Sequence, residues 1–304
     1  MSMRCTGNIL PAGRARPTDW LSAALWLAQN RAMSEDDQPS ATLAADTTAD
    51  WLVFEQPLSE RMRAYLRIDF LYNQALYHAH AQSQWGSRAS VTSLLDILAI
   101  TSRADTRADV LKELERQIGL LNDFRRRSEV DADRLQALIT NLTRLRSELH
   151  SSGSAYLQPL RDSAFLSAIR HRSAIPGGTC DFDLPDYSFW LHQPSEERES
   201  TLQTWLVMLR PLCDSIAELL WLTRQGGRLR HETATAGVFN ITFERDNPVQ
   251  LLRVAVPRAL EVFPEISGSH YRASVRFVRW QGTDTRPLQA AENIPCQITC
   301  CHQL

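Results

Sequence analysis

The order of apolar and polar positions divides the chain into a helical stretch followed by a β stretch. Residues 58–80 predict a helix: Ser59 stands where a cap belongs, and Met62, Leu66, Phe70 and then Asn73 or Leu76 recur at three- to four-residue spacing. A shorter helix fits Val91–Ile100, and a third begins near Asp105 and carries Leu111, Leu114, Ile118 and Leu121. Asp131 starts a fourth, in which Leu135, Leu138, Leu142, Leu145 and Leu149 form a narrow apolar seam. That seam spans only about two heptads, so a packed bundle helix explains it better than a coiled coil. A fifth helix is expected over 157–172. Ile175-Pro176-Gly177-Gly178 then halts helix formation. Beyond it, Cys180, Phe182 and Leu184 alternate with Asp181, Asp183 and Pro185, which predicts a strand or an extended segment. Pro194 and Ser195 open a long helix through Trp205, Leu209, Leu212, Ile216 and Leu220, closed by Gly226-Gly227, with Pro211 expected to kink it.

After Gly227 the period becomes two. Val238–Phe243 reads as one strand, Leu252, Val254 and Val256 define a second, and the tail from Leu288 to Cys301 supplies another. Between them, Tyr271, Ala273, Val275 and Phe277 turn one face of a strand inward, leaving Arg272, Ser274 and Arg276 on the other. The fold class is therefore α+β: a helical bundle domain over 51–172, then an antiparallel β-domain over 173–304 that includes the long helix near 195–225. Residues 1–50 differ from both. Trp20–Ala28 is a short apolar stretch that makes a weak signal peptide, and residues 34–50 are acidic, small and rich in Pro, Thr and Ala. They read as a disordered extension, and Met33 would serve as a natural alternative start.

Charge changes the picture more than composition does. Of 33 basic residues one is lysine, Lys112, leaving 33 − 1 = 32 arginines. The Gly-Lys pair of a phosphate-binding loop is thereby absent. A net charge of −2 gives no general attraction to nucleic acid. No apolar run approaches the roughly 20 residues of a membrane helix. Six scattered cysteines fit a reducing compartment, so the cytoplasm is the expected location.

Motifs that carry chemistry are few. The eight histidines form no His-Glu-x-x-His run, and neither a Cys-x-x-Cys pair nor a Gly-x-Ser-x-Gly elbow occurs. Nothing in the pattern argues for an enzyme or a cofactor. Cys296, Cys300, Cys301 and His302 offer four ligands for a zinc-binding alternative, but strand alternation turns Cys300 and Cys301 to opposite faces, which favours structural cysteines. Arginines in register are more suggestive. Arg63/Arg67 and Arg103/Arg107 are four apart and share a face wherever the chain is helical. Arg272 and Arg276 share a strand face roughly 13 Å apart. A solvated surface explains any one pair, as it does the Arg125-Arg126-Arg127 run. Several such forks around one concavity would bind a carboxylate-bearing peptide.

The segments Phe54-Glu55-Gln56-Pro57-Leu58-Ser59-Glu60-Arg61-Met62-Arg63 and Leu66-Arg67-Ile68-Asp69-Phe70-Leu71 resemble the opening of the ZapD family of bacterial cell-division proteins. The likeness continues through Leu111–Gln117, Ile175–Gly178, Cys180–Pro185, Trp190-Leu191-His192, Pro264–Gly268, Arg272, Arg276-Phe277 and the closing Cys300-Cys301, covering about 51–301. The resemblance implies a cytoplasmic homodimer at the midcell division site, without catalytic activity, cofactor, nucleic acid or membrane contact. It would bind the C-terminal tail of FtsZ and cross-link its protofilaments during septum assembly. It also implies that Arg63, Arg67, Arg103, Arg107, Arg272 and Arg276 form the tail site. Ala164 and Ser188 depart from the pattern, each replacing a basic or histidine residue typical of the family.

Overall fold

The computed structural model describes residues 50–103, 105–124, 132–244 and 247–302. The expected N-terminal extension, apart from Asp50, and the Arg125–Arg127 run lie outside the described residues. Eight α-helices, one short 3-10 helix (Arg258–Leu260) and eight strands are seen within those limits.

The helical layer starts after strand β1 (Trp51–Pro57) with α1 (Glu60–Ala79), capped as expected by the Ser59 hydroxyl, which accepts the Met62 N–H at 3.2 Å. Burial, however, follows Met62, Tyr65, Ile68, Ala75 and Ala79 rather than the Met62–Leu66–Phe70 stripe. The inward face is turned toward two neighbours at once, and Phe70 is left 66% exposed. Helix α2 (Gln84–Arg103) begins a full two turns before the predicted Val91. Its first half is Gly- and Ser-rich and so lacks an apolar signature. Instead Gly86, Ser87, Ser90 and Ser93 are buried, because small side chains let α1 and α2 approach closely. A Cβ at Gly86 would fall 2.6 Å from that of Ala81, and the Ser90 hydroxyl donates to the Ala75 carbonyl at 3.0 Å. Next come α3 (Thr106–Phe124) and α4 (Ala132–Ser151), whose leucine seam faces the bundle core.

The predicted 157–172 helix is two pieces, α5 (Gln158–Arg161) and α6 (Ala164–Ser173), because the Ser163 hydroxyl caps a new start by accepting the Leu166 N–H at 3.3 Å. Cys180–Leu184 is not a strand. It is a run of turns that leads into α7 (Pro185–Leu191), with proline placed in the first turn where its missing N–H costs nothing. Helix α8 (Ser195–Gln225) continues through Pro211 as one helix.

The remaining strands are β2 (Arg228–Ala234), β3 (Val238–Thr242), β4 (Val249–Pro257), β5 (Val262–Gly268), β6 (Arg272–Arg279), β7 (Leu288–Gln289) and β8 (Ile294–His302). They make two antiparallel sheets, one ordered β1-β4-β8-β2 and the other β3-β6-β5 with β7 on β6. The first sheet is the middle of three layers. Leu251 and Cys301 belong to the helical core on one side, whereas Leu252 and Cys300 belong to the inter-sheet core on the other. That double burial explains why β4 is apolar along nearly its whole length instead of alternating.

Packing cuts across the division expected from chain order. Strand β1, expected in the helical half, pairs with β4 along its full length. Helix α8, expected in the β half, is buried in the bundle core through Leu202, Leu206, Leu209, Leu212, Ile216 and Leu220. The reason is that an amphipathic helix of this length needs an apolar partner face on several sides, and the bundle offers one. A charged node ties the layers: Glu55 on β1 accepts two bonds from Arg224 on α8, at 2.8 and 2.7 Å, and one from Arg253 on β4 at 3.0 Å.

Candidate functional site

Antiparallel packing of α1 and α2 decides which arginines meet. Starting from the Ser90–Ala75 hydrogen bond, 13 residues forward along α2 reach Arg103, and 13 residues back along α1 reach Met62. At about 1.5 Å per residue on both helices, Arg103 is level with the first turn of α1, where Arg63 stands. Arg67 and Arg103 line one open groove of about 300 Å³ with Phe70, Leu71, Asp96 and Ile100. Neither guanidinium has an ion-pair partner among the described residues. Arg63 is paired with Glu60 on its own helix at 3.3 Å, an exposed contact of little energetic weight.

The tip of the β5–β6 hairpin lies beside the start of α1, while the β6 arginines project from the outer face of the second sheet, opposite its core side. At Gly268, the last residue of β5, an added Cβ would sit 2.9 Å from the Leu58 side chain and 3.3 Å from the Arg272 carbonyl. The β5–β6 tip therefore abuts the entry to α1, one residue before its cap. The strand alternation holds from Arg272 to Phe277, with Ala273, Val275 and Phe277 buried and Arg272 and Arg276 exposed, but Tyr271, expected on the inward face, precedes the strand and is 59% exposed. Arg276 is already engaged, since the β5–β6 register sets it directly opposite Glu265 and its guanidinium donates to that carboxylate at 3.1 Å. Sequence reasoning missed this partner because strand register is a tertiary property.

Arg107 is different. Helix α2 ends at Arg103 and α3 starts at Thr106, so Arg103 and Arg107 do not share a helix face as their spacing suggested. The Arg107 guanidinium donates to the Leu149 and His150 carbonyls at 3.2 and 3.0 Å. Those carbonyls also accept from the Ser152 hydroxyl and the Gly153 N–H, so Arg107 adds a tie between α3 and the last turn of α4, a structural task. Ala164 is the exposed first residue of α6 and Ser188 is half-buried in α7, and neither lines the groove.

The cysteine alternative loses its geometry. Cys300 is buried between the sheets and Cys301 on the helical side, so the two thiols cannot converge on one ion. Burial pushes the Cys296 thiol up to about 11 and the Cys301 thiol to about 12, which keeps both protonated at neutral pH. Among the described residues no group of three or more potential ligands gathers. Likewise, among the described residues no helix is long and apolar enough to cross a membrane.

The groove is an arginine-flanked surface concavity, and comparison with known proteins gives the class: the chain matches a family of cell division proteins. The family model described as ZapD, cell division protein, matches residues 66–276. The chain is 36% identical over 250 residues to the cell division protein ZapD of Methylococcus capsulatus (strain Bath), covering 82% of this chain and 98% of that relative. It is 38% identical over 250 residues to the ZapD of Bordetella petrii, covering 82% and 99%, and 35% identical over 248 residues to that of Azoarcus sp. (strain BH72), covering 82% and 98%. This chain belongs to the ZapD family.

Proposed function

We propose that this protein is a non-enzymatic cross-linker that binds the C-terminal tail of FtsZ and bundles FtsZ protofilaments, stabilising the Z-ring during septum assembly at midcell in the cytoplasm. The observation that carries the reading is the pair of exposed arginines on one groove, Arg67 on α1 and Arg103 at the end of α2, with Arg63 level with Arg103; Arg272 and Arg276, exposed on β6, join the proposed site through the family resemblance. Guanidinium forks pair with carboxylates in bidentate geometry, so such a surface suits an acidic tail. A homodimer carrying one such site per protomer would hold two tails, and bivalency would turn weak contacts into filament bundling.

Co-sedimentation with FtsZ filaments, with and without the FtsZ tail, tests the reading. Bundling only when the tail is present supports it, and equal pelleting of tailless filaments refutes it. Because the arginines are exposed, tail affinity is expected to fall steadily as salt rises. An affinity that stays flat from low to high salt, measured by isothermal titration, contradicts a charge-based site.

Glu265 competes with the tail for Arg276. The change Glu265→Gln is expected to tighten tail binding by about two- to fivefold, the scale of one exposed ion pair. Unchanged or weakened affinity of Glu265→Gln would remove Arg276 from the site.

A further inference from the structure

Charge alone does not account for the α1–α2 groove. Phe70 is 66% exposed on α1, and it lines the same concavity as Leu71, Ile100, Arg67 and Arg103. The groove also holds one acid, Asp96. By the register set at Ser90 and Ala75, six residues forward on α2 reach Asp96 and six back on α1 reach Asp69, so Asp96 is level with the Phe70 turn. Arg103 lies at the opposite end, level with Arg63. Asp96 makes no ion pair with either groove arginine among the described residues, and partial burial raises its pKa. The concavity is therefore polarised along the helix pair, with positive charge toward the start of α1 and an apolar patch with one carboxylate farther along.

We propose that this groove selects among acidic peptides, taking a segment that carries an apolar side chain next to its acidic residues. The peptide carboxylates meet the Arg63–Arg103 end, the apolar side chain packs on Phe70, and Asp96 repels a further carboxylate at that end. This rests on the arginine-site reading above and adds the residue that gives it selectivity. The physical reason is a division of labour. Exposed ion pairs contribute little each and accept any acid, so they discriminate poorly between acidic partners. Covering an exposed aromatic ring removes apolar area from water, which only a peptide with a matching side chain can do.

The test uses fluorescence anisotropy with the full chain and two labelled acidic peptides, identical except that one carries leucine where the other carries serine. The natural protein is expected to bind the leucine peptide about tenfold more tightly. Phe70→Ala should erase that preference while leaving the serine peptide within about twofold, and Phe70→Leu should retain most of it. Asp96→Asn should admit a leucine peptide with an added acid beside the leucine. Equal affinity of the natural protein for both peptides overturns the proposal, as does an equal loss for both in Phe70→Ala. Because Phe70 is exposed, an unchanged circular dichroism melt is expected for both variants and certifies the comparison. Arg67→Glu with Arg103→Glu should weaken both peptides. If it weakens neither, the arginine reading falls while the Phe70 result still stands, and if neither peptide binds the natural protein, both readings fall.

Discussion

Reversing two charges in the groove, Arg67→Glu with Arg103→Glu, is expected to abolish FtsZ bundling and leave the fold intact. Both side chains are exposed and neither has an ion-pair partner among the described residues, so no internal contact is lost. Each reversal replaces an attraction to the tail by a repulsion, worth on the order of 1–1.5 kcal/mol at an exposed site. Together they lower single-site affinity by about 100-fold. Bundling should respond more sharply still, because a bivalent cross-link requires both sites to be filled at once. Pelleting assays measure the loss, and an unchanged thermal melt certifies the fold. Arg107→Ala is the matching control. Its guanidinium ties α3 to the end of α4, so it should cost about 1 kcal/mol of stability and leave tail affinity within about twofold. If Arg107→Ala instead destroyed tail binding while Arg67→Glu with Arg103→Glu did not, the placement of the site on the α1–α2 groove would be wrong.

The second large effect is on stability and involves Glu55. Its carboxylate is shared by Arg224 and Arg253, and its side chain is only 20% exposed. Burial by itself would raise its pKa, but the hydrogen bonds and charges of the two arginines more than offset this, and the net direction is downward. Removing it by Glu55→Ala orphans two guanidinium groups at the joint between α8 and the first sheet. Full burial of such a break costs roughly 3–5 kcal/mol, and the partial exposure here reduces that to about 2–3 kcal/mol. The sign of the pH effect follows from the depressed pKa. The node contributes its stability above the ordinary carboxylate value near 4.5 and loses it as pH falls through the lower folded value. Urea unfolding should therefore show the natural protein and Glu55→Ala converging toward acid pH. A constant gap between them across that range would argue against the ion-pair account.

Much of the architecture was legible because it rests on local rules. Ser59 caps α1, the α4 leucines face the core, Asp105 opens α3 by accepting the Ala108 N–H at 3.0 Å, and β6 alternates from Arg272 to Phe277 as its residues predict. The failures share a cause. Helix α2 starts early because buried glycine and serine suit a close helix contact, yet carry no apolar signal. The Cys180–Leu184 alternation imitates a strand, but the segment forms turns and joins neither sheet. Phe70 looked like core and is exposed, since which sectors of α1 are covered depends on where α2 and α8 lie.

The six arginines follow the same division. By itself the sequence determined that they exist in spaced pairs, that Arg272 and Arg276 share a strand face, and, through family likeness, that the chain is a cell-division protein. Spacing along a chain reports neighbours within one element and nothing about what faces it across a gap. Only the tertiary structure decided that Arg103 is level with Arg63, that Arg107 is spent on α4, that Glu265 holds Arg276, and that Phe70 lies open in the groove. Helix pairing and strand register set those distances, and both are chosen by burial of the whole core rather than by the residues that come to meet.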